Sequence, residues 1–160
     1  MESAENEPPA NPASLRALVA EQPFLHGLSQ RCLDRLANSA MRIQFEPGQS
    51  IFKKGDPANR FYLILQGEVV LEAPDKNGVV HRVQRLGARD ALGWSWLFPP
   101  YYWQFDAVAS RPTDAIFFYG TRLRQECEKD HELGFELMKR MSRVAIARLQ
   151  TTRQHWIEGD

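Results

Sequence analysis

At 160 residues with 43% apolar composition, the chain is long enough to bury one core and too short for two domains of ordinary size. Its 20 basic and 20 acidic residues cancel, which excludes an overall field drawing it to nucleic acid or to an anionic membrane. No apolar run is long enough to span a bilayer, and the acidic, Pro-rich start is unlike a secretion signal, so the expected location is cytoplasmic.

Residues 1–13, with Pro8, Pro9 and Pro12 among Glu and Asn, bury too little apolar surface to fold and are expected to form a disordered leader. From Ser14, Leu15, Leu18 and Val19 repeat at helical spacing until Pro23 stops them. Ser29 can then cap a second helix with Leu33, Leu36, Ala37 and Ala40 on one side. Between Met41 and Tyr119 the pattern changes to short runs of Val, Ile, Phe and Tyr punctuated by Gly48, Gly55, Gly67, Gly78, Gly87 and Gly93, as in a sandwich or closed barrel. Phe61–Leu65 reads as a buried strand whose return starts at Val69, Val70 and Leu71. Asp75-Lys76-Asn77-Gly78 reads as a hairpin, since Asn-Gly tolerates the positive φ values of a type I′ turn. Ala115–Tyr119 is the last strand. Beyond Gly120 the helical period returns, with Thr121 and Asp130 as caps and a stripe of Leu133, Leu137, Met138, Met141, Val144, Ala145 and Leu149 over about six turns.

The run Phe45-Glu46-Pro47-Gly48-Gln49-Ser50-Ile51-Phe52-Lys53-Lys54-Gly55-Asp56, then Phe61 to Val69 with its Gly67-Glu68 turn, resembles the start of a cyclic nucleotide-binding domain of the catabolite-activator and Fnr type. Leu86-Gly87 and Ala91-Leu92-Gly93 continue the resemblance, which covers roughly residues 14 to 153. It implies an eight-stranded jelly roll in which a short helix after Gly93 offers backbone N–H groups to a cyclic phosphate. It further implies a Glu directly after that glycine for the ribose hydroxyl, and an Arg some ten residues on that forks onto the phosphate. The first position is Trp94 and the second, aligned through Ala107, is Phe105, with Asp106 at the neighbouring Ser or Thr position. No Arg or Lys lies between Arg89 and Arg111, so the phosphate arginine is missing in any nearby register. Losing a two-pronged charged contact removes about 3 to 6 kcal/mol, or on the order of 10² to 10⁴ in affinity.

The candidate ligand-binding residues are therefore Gly93, Trp94, Ser95, Trp96, Leu97, Phe105, Asp106 and Ala107, with Phe98, Tyr101, Tyr102 and Trp103 as further aromatic replacements. Two readings stand side by side: a remodelled pocket for an apolar or planar ligand, or rings that fill the former pocket as core. Asp106 repels a phosphate if it points inward and is a solvated strand residue if it points outward. Arg111, beside Pro112 at a hairpin tip, is expected to stay in solvent.

Other chemistry finds little support. His26, His81, His131 and His155 fall on different elements, without the close His-x-His of a metal-dependent cupin, so no metal and no cofactor is expected. Cys32 and Cys127 have no Cys-x-x-Cys spacing and read as reduced structural thiols. No nucleophile elbow or Gly-rich phosphate loop appears, and the chain is not expected to be an enzyme. In the resembled family the terminal helix dimerises as a parallel coiled coil. Here one flank holds Leu137, Met141, Val144 and Arg148, and another holds Met138, Ala145 and Leu149. The candidate dimer interface is Leu137, Met138, Met141, Val144, Ala145 and Leu149, against the alternative that a flank packs on the barrel. Transcription factors of that family continue into a winged helix-turn-helix. This sequence ends at Asp160, leaving no room for a recognition helix, and no DNA-binding domain is expected.

The expected architecture is mainly β with flanking helices: a double-stranded β-helix (jelly roll) preceded by two short helices and followed by a long C-terminal helix. Residues 14–155 form the domain and about 121–155 its dimerisation helix. The expected function is a regulatory or sensor module that does not bind cAMP or cGMP in the usual way. Its expected partners are a second copy of itself, an unidentified small ligand or a regulated protein, with neither nucleic acid nor membrane. A ligand-free assembly domain and a weak cyclic nucleotide binder are the alternatives.

Overall fold

The computed structural model of the chain describes residues 12–159. The leader expected over residues 1–13 lies outside the described residues, except that Pro12 and Ala13 already belong to the first helix. Helix α1 (Pro12–Ala20) is followed by a 3-10 turn (Pro23–Leu25) and α2 (Gln30–Ser39). Pro23 opens the turn, and the Ser29 hydroxyl caps α2 by accepting from the Cys32 amide at 3.3 Å. Eight strands come next: β1 (Met41–Phe45), β2 (Ser50–Phe52), β3 (Arg60–Gln66), β4 (Glu68–Pro74), β5 (Val80–Gly87), β6 (Ala91–Leu92), β7 (Asp106–Ala109) and β8 (Thr113–Tyr119). They form two four-stranded antiparallel sheets, ordered β1-β8-β3-β6 and β2-β7-β4-β5. Helices α3 (Gly120–Lys129) and α4 (His131–Glu158) close the chain.

The near-continuous apolar run of β3 follows from its place between two cores. Tyr62 and Ile64 face the other sheet and join Phe45, Leu71, Leu92 and Phe117. Phe61 and Leu63 face the opposite way, toward the helices, with Ile116, Phe118 and Trp96. Strand β8 alternates in the same manner, since Ile116 and Phe118 belong to the helix-facing core and Phe117 to the inter-sheet core. Leu133, Leu137 and Met141 of α4 are at most 1% exposed and complete the helix-facing core. Each such burial contributes roughly 1.5–3 kcal/mol.

Three local expectations are corrected. The β4–β5 hairpin is not a type I′ turn, because among its loop residues Gly78 alone has positive φ (80°). Asp75 and Val79 pair across a three-residue loop, and the Asp75 carboxylate accepts from the amides of Asn77 and Val79 at 2.8 and 3.0 Å. That side-chain clamp favours a type I turn with glycine in the following left-handed position. Thr121 does not cap α3: Tyr119 stands at the cap position with no side-chain bond, and Thr121 lies inside the first turn. The segment expected as one helix over 121–155 is two, broken at Asp130, whose carboxylate caps α4 by accepting from the Leu133 amide at 3.2 Å.

Asp130 is also the hub that holds α4 to the N-terminal helices. Arg31 donates to both its oxygens, Arg35 donates at 3.2 Å, and Arg31 reaches Glu132 as well. The Arg31 guanidinium beside it lowers the Asp130 carboxyl to about 2. Nearly three turns later Arg140, 8% exposed, pairs with Glu136 and donates to the His26 carbonyl behind the 3-10 turn. Both contacts fix how α4 runs past the sheets.

Candidate functional site

The short strand β6 hands the chain over at Gly93, whose φ of 91° is left-handed. A side chain there is forbidden twice, by that conformation and because a Cβ would lie 2.6 Å from the Trp103 ring. The following turn, with the Leu97 amide donating to the Trp94 carbonyl at 3.0 Å, sends Trp94 and Trp96 in different directions. Trp96 is 0% exposed, packs on Phe61 at 5.5 Å between ring centroids, and donates its indole N–H to the Gly93 carbonyl at 3.1 Å. Trp94 instead lines a cavity of about 220 Å³.

That cavity is lined by the aliphatic Leu71 and Leu92 and the aromatic Phe52, Trp94, Trp103 and Phe105, with Gly93, Ser95, Gln104 and Arg148. Of the eight candidate ligand-binding residues, Gly93, Trp94, Ser95 and Phe105 line it. Trp96 and Ala107 are fully buried in the two cores, one in each. Leu97 borders a separate groove against α3 and α4. Asp106 is turned to the β2 edge, where its carboxylate accepts from the Lys54 amide at 2.7 Å. Its charge therefore caps a loop and does not face the cavity.

The insertion between the two halves of the site divides likewise. Phe98 and Tyr102 are 44% and 48% exposed, and Tyr101 lies under the Arg124 guanidinium at 4.0 Å. Trp103 lies flat on Phe52, with centroids 3.8 Å apart and planes within 8°. The peptide bond between Pro99 and Pro100 is cis. Trp96 is thus part of the helix-facing core, while Trp94, Trp103 and Phe105 border the cavity.

Sequence reasoning did not place Phe52, Leu71, Leu92, Gln104 or Arg148 at the cavity. Strand alternation would have pointed to Leu71 and Leu92 on the inward face. Arg148 belongs to α4, and its Nη2 donates to the Ala91 carbonyl of β6 while its guanidinium sits 5.3 Å from the Trp94 ring. Burial holds its pKa below the usual arginine value.

On α4 the inward flank holds Leu133, Leu137 and Met141 in the core, then half-buried Val144 and Arg148. Of the candidate dimer residues, Leu137 and Met141 are thus against the chain's own domain, Val144 and Ala145 are half-buried, and Met138 and Leu149 are 42% and 49% exposed. Cys127 is half-buried, and burial with the nearby Asp130, Glu126 and Glu128 carboxylates raises its thiol to about 11, so it is not a thiolate at neutral pH. Among the described residues, Cys32, Asp130 and Glu132 are close enough to suggest a metal site. Their carboxylates are already held by Arg31 and Arg35, which makes the group an ion-pair network. Among the described residues no helix is long and apolar enough to cross a membrane.

The jelly roll and its flanking helices define the fold of a regulatory-type domain. The chain belongs to the cyclic nucleotide-binding domain family, whose model matches residues 42–130. It is 39% identical over 64 residues to the cAMP-dependent protein kinase type I-alpha regulatory subunit of Mesocricetus auratus, covering 38% of this chain and 38% of that one. The matched segments span 16% to 38% of the length of such kinase regulatory subunits. Among solved structures, a Geobacter metallireducens protein classed as cyclic nucleotide-binding superposes with a TM-score of 0.74 at 28% identity, over 88% of this chain and 98% of that one. The regulatory subunit of a cAMP-independent protein kinase A from Trypanosoma brucei shares the fold, with a TM-score of 0.70 at 23% identity over 82% and 47% of the two chains. These curated relatives are named as regulatory subunits of cAMP-dependent protein kinases.

Proposed function

We propose that the chain is a non-enzymatic sensor or regulatory module whose pocket has left cyclic nucleotides for another small ligand. The observation that carries this is the cavity itself. It lies where the family resemblance puts the nucleotide, yet Trp94 and Phe105 stand where the ribose carboxylate and phosphate arginine are implied. Its volume of about 220 Å³ is below the roughly 300–1,000 Å³ of drug-sized sites, which supports a ligand smaller than a nucleotide. The regulatory subunit of a protein kinase A described as cAMP-independent shares the fold, which is consistent with this architecture serving without cAMP.

Because α4 contributes a wall residue, a ligand that fits the cavity distinguishes positions of α4, and only such a distinction can shift a conformational equilibrium. The outward face of α4 is where that shift would be read. Phe135, Met138, Ala145, Leu149 and Trp156 follow a heptad, and Phe135 and Trp156 are 65% and 84% exposed. A second copy of the chain in parallel register is the partner this face suits. A ligand-free assembly domain is favoured by one observation, the Trp103–Phe52 stack that fills part of the site.

Isothermal titration with cAMP and cGMP separates the readings, and neither is expected to bind below millimolar concentration. Micromolar binding of either would overturn the proposal. Native mass spectrometry of the purified protein would show a co-purifying small molecule if the sensor reading holds.

A further inference from the structure

The inward flank of α4 carries the sequence of contacts Leu133, Leu137, Met141 and Val144, spaced by fours and a three. The next position on that flank is Arg148, where an apolar residue would continue the packing. A long cationic side chain placed at this point needs a reason, because burying a guanidinium without an anion is unfavourable. Its Nη2 donates to the neutral Ala91 carbonyl. None of the ion pairs among the described residues includes Arg148. Asp90 is the carboxylate whose charge acts on it, and that side chain accepts from the Gly87 amide at 2.8 Å and stays outside ion-pair distance. The one formal charge on the cavity wall is thus positive, and it lies beside the Trp94 ring amid otherwise aromatic and aliphatic surface. Ser95 and Gln104 supply the neutral polar groups.

We propose that Arg148 is the anion-reading residue of the cavity and that the ligand is a small aromatic carboxylate, its ring held among Trp94, Trp103 and Phe105 and its carboxylate paired with the guanidinium. This rests on the reading above that the cavity takes a ligand, and it adds the ligand's chemistry. The arginine implied by the family resemblance would come from the strand side of the site, after Gly93. Here the cation comes instead from α4, some forty residues further along the chain by the numbering. A single guanidinium suits a single negative charge on a planar head, which it can fork. A phosphate monoester, with nearly two charges, would leave one unmatched. The volume, too, fits one or two fused rings with a short acidic group better than a nucleotide. The same arginine bonds β6 through Ala91, so a carboxylate drawing the guanidinium toward the cavity changes a contact that seats α4.

The test compares charge at constant shape in the full chain. Benzoate and 2-naphthoate are titrated against benzamide and 2-naphthamide, following the indole N–H signals of the four tryptophans by NMR. The acids are expected to move Trp94 and Trp103 while leaving buried Trp96 and exposed Trp156 in place, and to bind at least roughly tenfold more tightly than the amides. Arg148→Gln should bring that ratio close to one, and Arg148→Lys should keep part of it. Equal binding of acids and amides to the unmodified chain would overturn the role of Arg148 while leaving the sensor reading intact. Failure of all four probes together with binding of cAMP would overturn both. Failure of all four without cAMP binding would overturn the aromatic carboxylate alone. If Arg148→Gln does not fold, the acid-to-amide ratio in the unmodified chain still decides.

Discussion

The two long faces of α4 have almost the same apolar content and opposite physical roles. The inward face, with Leu133, Leu137 and Met141 at most 1% exposed, is part of a core shared with β3, β8 and the N-terminal helices. The outward face, with Phe135, Met138 and Leu149 at 42% to 65% exposure, is left largely in solvent, Phe135 and Met138 bordering a groove with Leu97 and Tyr101. The difference teaches that an apolar stripe states how much surface must be covered and not by what. The largest way to break the comparison is Leu137→Ala. Truncating a side chain this buried is expected to cost about 2–5 kcal/mol, measured by urea unfolding, with the oligomeric state of the folded fraction unchanged. A cost below about 1 kcal/mol would mean that α4 does not pack on the sheets as described.

A second, smaller break acts at the root of the helix. Asp130→Ala removes the cap of α4 and the partner of Arg31 and Arg35, with an expected loss of about 1 kcal/mol, most of it from the cap. Both guanidiniums are largely in water (54% and 40% exposed), so the ion pairs add little. The pH dependence fixes the sign. The folded carboxyl titrates near about 2 and an unfolded Asp near about 3.9. Between those values the unfolded chain binds more protons, so this contribution is complete above about pH 4 and is lost as pH falls toward about 2. In Asp130→Asn, which keeps a capping oxygen, that acid-side slope should disappear while most neutral-pH stability remains. A variant whose stability falls as steeply with acid as the unmodified chain would place the titrating group elsewhere.

How much of this was legible in the sequence depends on the range of the interaction. The glycine-punctuated strands and the Ser29 and Asp130 caps were readable because each is set by neighbours in sequence or by a period of two or 3.6, while the jelly roll followed from the family resemblance. Asn77-Gly78 misled, because the Asp75 carboxylate two residues earlier organises the loop and leaves positive φ to glycine alone. The absence of a phosphate arginine between Arg89 and Arg111 needed no structure, since charge can be counted. Whether Trp94 or Trp96 enters the cavity was not readable: a turn has no period, and their directions follow from the Leu97-to-Trp94 hydrogen bond and the left-handed Gly93. Arg148 was legible as part of a helix flank but not as a cavity residue. Its position depends on how α4 is seated by Leu133, Leu137 and Arg140, all of them contacts between segments remote in sequence.

The smallest expected effect on stability, and the sharpest on the comparison, comes from Leu149→Asp on the outward face. A half-exposed leucine makes little core contact, so the folded monomer should change by no more than about 0.5 kcal/mol. If a second copy covers this face, the substitution puts a like-charged pair at facing seam positions of a parallel coiled coil, where an unpaired buried charge is strongly unfavourable. Sedimentation velocity should then show a dimer for the unmodified chain and a monomer for the variant, and the concentration dependence of Tm should vanish with it. A chain that is monomeric before the substitution would show that Phe135, Leu149 and Trp156 await a different protein. The same variant would then be expected to weaken that contact without touching the Leu137 face.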